Sequence, residues 1–130
     1  MSKTHVTADF TGLTPNHLHG FHIHVYGNLL QGCTTAGPHY NPYGQTHGGP
    51  DEKIRHVGDL GNVQSNEDGV GRFDLMDSQV TLFGPFSVVG RSCVIHRDTD
   101  DLGKGDNDAS KLNGNAGARI ACGVIGHVNV

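Results

Sequence analysis

His22 and His24 stand two residues apart in Gly20-Phe21-His22-Ile23-His24-Val25-Tyr26-Gly27, and this alternation constrains the chain more than any other feature. On a strand, residues i and i+2 project from the same face. Phe21, Ile23 and Val25 can then enter a core while His22, His24 and Tyr26 leave by the other side. A strand here therefore carries two imidazoles on one rigid platform. The chain holds 10 histidines in 130 residues. His39, His47 and His56 follow along a glycine- and proline-rich stretch, with Asp59 three places after the last, and His96 ends an apolar run. Neutral imidazole offers a nitrogen lone pair at ordinary pH, which makes it the commonest metal ligand. The pattern reads as a metal protein.

The surrounding sequence favours strands and loops. Its 20 glycines and its short apolar groups suit strands joined by long loops better than helices. Alternation marks strands at Thr4–Thr11 and His19–Tyr26, with further strands near His56–Val63, Gly71–Met76, Ser87–His96 and Arg119–Val128. Asn66-Glu67-Asp68-Gly69 is a turn between two of them. Gly27–Arg55 and Asp98–Ala118 have no periodicity and read as two long loops, a length that usually signals function. No helical pattern or repeat is legible. The expectation is one all-β domain over residues 1–130, a sandwich or flattened barrel of about six strands.

Composition excludes other classes. A formal net charge of -4 argues against nucleic acid and anionic membranes as partners. No stretch is apolar enough to span a bilayer as a helix, and no apolar signal core follows Met1, so the expected location is cytoplasmic. Cys33, Cys93 and Cys122 are too few for a disulfide scaffold, and one must stay unpaired within the chain.

The histidines divide into two sets. His22 and His24 can bind one ion, and His96 can reach a third position. His39, His47 and His56 with Asp59 form a set suited to tetrahedral zinc. A lone histidine is more often a satisfied polar residue than a ligand, which is the reading for His5, His17 and His127.

Longer motifs then carry a resemblance. Gly20-Phe21-His22-Ile23-His24, Gly37-Pro38-His39-Tyr40-Asn41-Pro42, His47-Gly48-Gly49-Pro50, Arg55-His56-Val57-Gly58-Asp59-Leu60-Gly61-Asn62-Val63, Asp100-Asp101-Leu102-Gly103-Lys104-Gly105 and Gly114-Asn115-Ala116-Gly117-Ala118-Arg119-Ile120-Ala121-Cys122-Gly123 occur in this order. Together the chain resembles the copper/zinc superoxide dismutases. The resemblance implies a Greek-key β-sandwich and disproportionation of superoxide to oxygen and hydrogen peroxide. It implies copper on His22, His24, His39 and His96, and zinc on His39, His47, His56 and Asp59, with His39 bridging. It implies a role for Asp100 behind the ligands, a Cys33–Cys122 disulfide, and Arg119 as the group that positions superoxide. His19 would be a structural clasp. It further implies loading by a copper chaperone and a homodimer, for which Tyr26, Gly27, Val89, Gly90, Val124, Ile125 and Gly126 match the usual surface.

Departures from the family qualify these expectations. Relatives usually carry a two-strand hairpin before the strand matching Thr4–Thr11. Without it, Thr4–Thr11 and Arg119–Val128 are expected to present open edges, with lower stability or an unusual association as the result. His127 replaces an apolar residue near the usual dimer surface, so an altered interface or a monomer is an alternative. Ala109 replaces an acidic residue, Lys111 is displaced by one place, and Leu112 stands where the steering lysine is usual. Two other functions fit parts of the pattern: a metal-binding but inactive truncated paralogue or splice form, and the dismutase-like domain of a copper chaperone. Cys93, among Val88, Val89, Val94 and Ile95, reads as a buried structural thiol.

Overall fold

The computed structural model describes residues 2–128. Seven strands run in the order β1 (Thr4–Phe10), β2 (Leu18–His24), β3 (Leu30–Cys33), β4 (Asp59–Gln64), β5 (Gly71–Asp77), β6 (Ser92–His96) and β7 (Arg119–Val124), with one helix, α1 (Asp108–Asn113). β1 and β5 form one antiparallel sheet, and the other has the order β4-β2-β6-β7, also antiparallel throughout. The two sheets pack as a sandwich and do not close into a barrel.

The alternation read from the sequence is what joins them. Phe21 on β2 enters the core between the rings of Phe10 on β1 and Phe73 on β5, with centroid distances of 5.4 and 5.2 Å and edge-to-face geometry. Ile23, Leu60, Val63 and Ile95 complete the larger sheet's contribution, and Val6 and Ala8 pack on them from β1. His22 and His24 point the other way, yet both are buried, because the two long loops fold over that face.

Three expectations change. β3 and a 3-10 turn at Thr34–Ala36 lie inside the stretch expected as one loop, Gly27–Arg55. β3 is short and largely exposed, so it has no alternating pattern to read. A helix occurs in the second loop, where none was legible. Six residues are too few for a periodic signal, but its ends are well made. Asn107 Oδ1 accepts the Ser110 N–H at 3.0 Å, and Gly114 closes it in the left-handed conformation, φ 73°. The expected strand Ser87–His96 starts only at Ser92, since Val88–Arg91 forms a turn through Gly90, φ 87°. β1 and β7 are each paired within the chain on one side, to β5 and β6, and each is the last strand of its sheet.

A buried ion pair ties the first loop to the smaller sheet. Arg55 donates to both oxygens of Asp77, at 2.6 and 3.2 Å, and to the carbonyls of Pro50, His56 and Val57. Asp77→Ala would leave this guanidinium buried without its counter-charge, at a cost of about 3–5 kcal/mol. The expected readout is a lower urea midpoint with an unchanged slope.

Candidate metal centre

The larger sheet and its loops bring the predicted ligands into two adjoining groups. Side-chain donor atoms of His22, His24, His39 and His96 lie within 4.8 Å of one another, and so do those of His22, His39, His47 and Asp59. His56 joins the second group's neighbourhood: its Nδ1 is 3.2 Å from both Asp59 Oδ1 and His39 Nδ1. His39 stands in both groups. His22 also belongs to both, which the sequence did not suggest. Its cause is Asp100, whose carboxylate accepts from His22 Nε2 and from His47 Nε2, each at 2.7 Å.

Those hydrogen bonds decide which ring nitrogens carry lone pairs. His22 and His47 each spend the Nε2 proton on Asp100, which leaves Nδ1 of His22 with its lone pair and turns Nδ1 of His47 toward Asp59. His24 donates Nδ1–H to Gly37 O at 2.6 Å, and His96 donates Nδ1–H to Gly117 O at 3.0 Å. Their Nε2 atoms then face each other at 3.4 Å with no proton for either to donate. His22 Nδ1 and His39 Nε2 are buried without a hydrogen-bond partner, as is His19 Nε2 outside the two groups, and His47 Nδ1 faces Asp59 Oδ2 at 3.0 Å. Converging buried lone pairs are costly unless a cation satisfies them. The donor set fits two ions: nitrogen-only for one, and imidazole plus one carboxylate for the other.

Asp59 is held for its part by backbone. Its Oδ2 accepts from Gly48 N at 3.0 Å and His56 N at 2.8 Å, so Oδ1 is turned toward His39 and His56. Burial alone would raise its pKa, but hydrogen bonds from His39, His47 and His56 outweigh burial and hold it below the usual carboxylate range. Asp100 sits at about 2, because the bonds from His22 and His47 outweigh its burial. Burial, with the neighbouring imidazoles, lowers His22 to about 3, His24 to about 2 and His96 to about 4, and lowers His39 as well. His47 moves oppositely, to about 9: burial would lower it, but the contacts to Asp100 and Asp59 prevail.

A cavity of about 220 Å³ reaches the first group, lined by His24, His39, His96, Leu112 and Arg119 among others. Arg119, at the start of β7, donates to Cys33 O at 2.9 Å and more weakly to Thr34 O at 3.4 Å. The Cys33–Cys122 disulfide is formed and joins the end of β3 to β7, so it brings those carbonyls beside Arg119. His19 is fully buried and donates Nδ1–H to His96 O at 2.8 Å, as expected of a clasp between β2 and β6. Cys93 is half-buried, and burial raises its pKa. His5 and His17 lie outside both groups, and His127 is exposed beyond β7.

Several residues that shape this centre had no assigned role in the sequence. Asn62 grips the backbone of Asp100 from both sides, accepting its N–H at 2.8 Å and donating to its carbonyl at 3.0 Å. Asp101 accepts from Ser110 Oγ, Gly103 N and Asn115 Nδ2, which secures α1 against the loop. Gly114 is required twice. It adopts φ 73°, and a Cβ there would overlap Asp100 Oδ1 and His47 Nε2. Arg55 and Asp77 were legible in part: Asp77 shares the inward face of β5 with Phe73 and Leu75, where a carboxylate needs a partner.

A sandwich with two adjoining histidine-rich groups, one carboxylate and two shared imidazoles, His22 and His39, defines a protein with a two-metal imidazole centre. The chain matches the family described as copper/zinc superoxide dismutase (SODC) over residues 1–125, and it belongs to that family. It is 56% identical over 128 residues to a protein of Cordyceps militaris named Superoxide dismutase [Cu-Zn], covering 98% of this chain and 83% of that relative. Copper and zinc are the metals of this family.

The pKa shifts set the acid response of the metal-free chain. Between about 4 and 6.5 the unfolded chain protonates His22, His24 and His96, while the folded chain keeps them neutral. Unfolding therefore takes up protons, and stability falls with pH through this window. His47 is protonated in both states there and does not oppose the trend. Urea denaturation of metal-free protein at pH 7, 6, 5 and 4 should give steadily lower midpoints.

Proposed function

We propose that this chain disproportionates superoxide to oxygen and hydrogen peroxide, with copper held by His22, His24, His39 and His96 and zinc by His39, His47, His56 and Asp59. The observation that carries the assignment is the set of buried lone pairs left when Asp100, Gly37 and Gly117 take one proton each from His22, His24 and His96. When bound, copper supplies one-electron oxidation of one superoxide and reduction of the next, and zinc supplies fixed charge without redox chemistry.

The chain's own residues handle the anion and the protons. Arg119 lines the cavity beside His24, His39 and His96 and offers a fixed cation to a small anion. Its bonds to Cys33 and Thr34 orient the guanidinium, so little reorganisation is needed when superoxide arrives. His39 has one nitrogen beside Asp59 and the other, Nε2, without a partner. Nε2 is the atom suited to hold a proton between the half-reactions and pass it to peroxide.

The rim differs from the usual pattern in its charge. Leu112 lines the cavity, while Lys111 Nζ donates to Gly103 O at 2.6 Å beside a different pocket, near Thr46 and Gly48. Arg119 is the one cationic side chain among the described residues lining this cavity. Guidance of superoxide therefore falls to Arg119.

Elemental analysis and dismutation should be measured on one preparation. One copper and one zinc per chain with catalysis supports the proposal; full loading without catalysis defeats it. Arg119→Ala should lower kcat/KM by about 10- to 100-fold at unchanged metal content, the scale of one charged hydrogen bond of about 1.5–3 kcal/mol. Leu112→Lys should raise kcat/KM several-fold at low salt and steepen its decline as salt is added.

A further inference from the structure

Asn113-Gly114 is the one Asn-Gly pair in the chain. Asparagine before glycine is chemically labile. The peptide nitrogen that follows can attack the side-chain carboxamide, and glycine has no Cβ to stand in its way. Asn113 is exposed at the C-terminal end of α1 and lines the cavity that reaches His24, His39 and His96. Its Oδ1 accepts the Asn115 N–H at 3.0 Å. A bond from an asparagine side chain to the backbone two residues on folds the carboxamide back over the intervening peptide, here at the Gly114 nitrogen. It also polarises the carbonyl that this nitrogen would attack.

One contact opposes the attack. Gly114 N–H bonds to Ala109 O at 3.1 Å and so closes the helix. That bond belongs to the last turn of a six-residue helix. Helices this short are marginal by themselves, and terminal turns open at little cost in free energy. Opening of this turn frees the nitrogen, while Asn113 stays in contact with solvent.

We propose that Asn113 is a site of spontaneous deamidation, which sets a carboxylate in the wall of the cavity. Gly114 N bonds to Asn113 Cγ and displaces the amide nitrogen, which leaves as ammonia with the proton from Gly114 N. Water then opens the resulting cyclic imide. Addition at Cγ gives aspartate, and addition at the main-chain carbonyl gives isoaspartate. No acidic residue lines the cavity at present, and Arg119 is its one cation among the described residues. Either product therefore opposes the guidance that Arg119 supplies to an anion. The isoaspartate also inserts an atom into the backbone just before Gly114, where a Cβ alone would already overlap Asp100 Oδ1 and His47 Nε2. The effect on rate rests on the dismutation proposed above; the modification does not.

Peptide mapping by mass spectrometry tests the site on metal-loaded chain aged for weeks in mildly alkaline buffer. Asn113 should gain the mass of amide-to-acid conversion ahead of every other asparagine, as two separable products. Asn113→Gln, whose side chain must close a larger ring, should not convert. No conversion at Asn113, or conversion no faster than at the other asparagines, overturns the proposal whether or not the chain acts on superoxide. Asn113→Asp supplies one product directly. At unchanged metal content its kcat/KM should fall several-fold at low salt, and the gap from the parent should close as salt is added. An Asn113→Asp variant equal to an active parent at low salt overturns the effect on the cavity. A fresh parent that is fully loaded and inactive instead defeats the proposed dismutation and leaves the mass map as the test of the site.

Discussion

Asp100 lies fully buried in the second loop and takes one ring proton from His22, on β2, and one from His47, in the first loop. These two bonds of 2.7 Å connect three separate parts of the chain. They also fix the ring orientations, so that Nδ1 of His22 keeps a lone pair for an ion and Nδ1 of His47 faces Asp59. An unpaired carboxylate at this depth would be costly. Its surroundings are built to prevent that: Asn62 holds its backbone, its own Oδ1 accepts the Leu102 N–H, and Gly114 leaves space where a side chain would collide. Orientation of metal-binding imidazoles from behind is a general means of setting ligand geometry.

The sandwich supplies the rigidity this arrangement needs. β2 has apolar residues on one face and histidines on the other, so packing of Phe21 and Ile23 in the core fixes where His22 and His24 project. The loops that cover the histidine face are anchored separately, the first by Arg55 on Asp77 and the second by Asn62 of β4 on the backbone of Asp100. The Cys33–Cys122 disulfide adds a third anchor, beside the residue that meets the anion. The cavity over His24, His39 and His96 is thus walled by segments from across the chain, each held by its own polar contact.

Much of the fold was legible because period-two alternation is a local signal. Most strands begin or end close to where apolar alternation begins or ends, and the histidine spacing survives as geometry. β3 and α1 were not legible, since four exposed residues and six loop residues carry no periodic pattern. Within the centre, ligand types could be read from residue identity, and the family resemblance supplied the disulfide pairing. The appearance of His22 in both groups could not be read, because it follows from Asp100 gripping two rings from loops and strands far apart in sequence.

The sequence by itself determined that two histidine sets lie on and around a two-faced strand, because side-chain alternation is set by backbone geometry within a few residues. The family resemblance added that Leu112 stands where a steering lysine is usual, and the structure places Leu112 in the cavity wall. Tertiary structure alone decided which nitrogen of each ring is free, since that depends on carbonyls and carboxylates brought from elsewhere: Gly37, Gly117 and Asp100. It likewise decided that Lys111 turns to Gly103, away from the cavity, and that β1 pairs with the distant β5. Hydrogen-bond partners and sheet edges are properties of packing between distant segments, and no local pattern contains them.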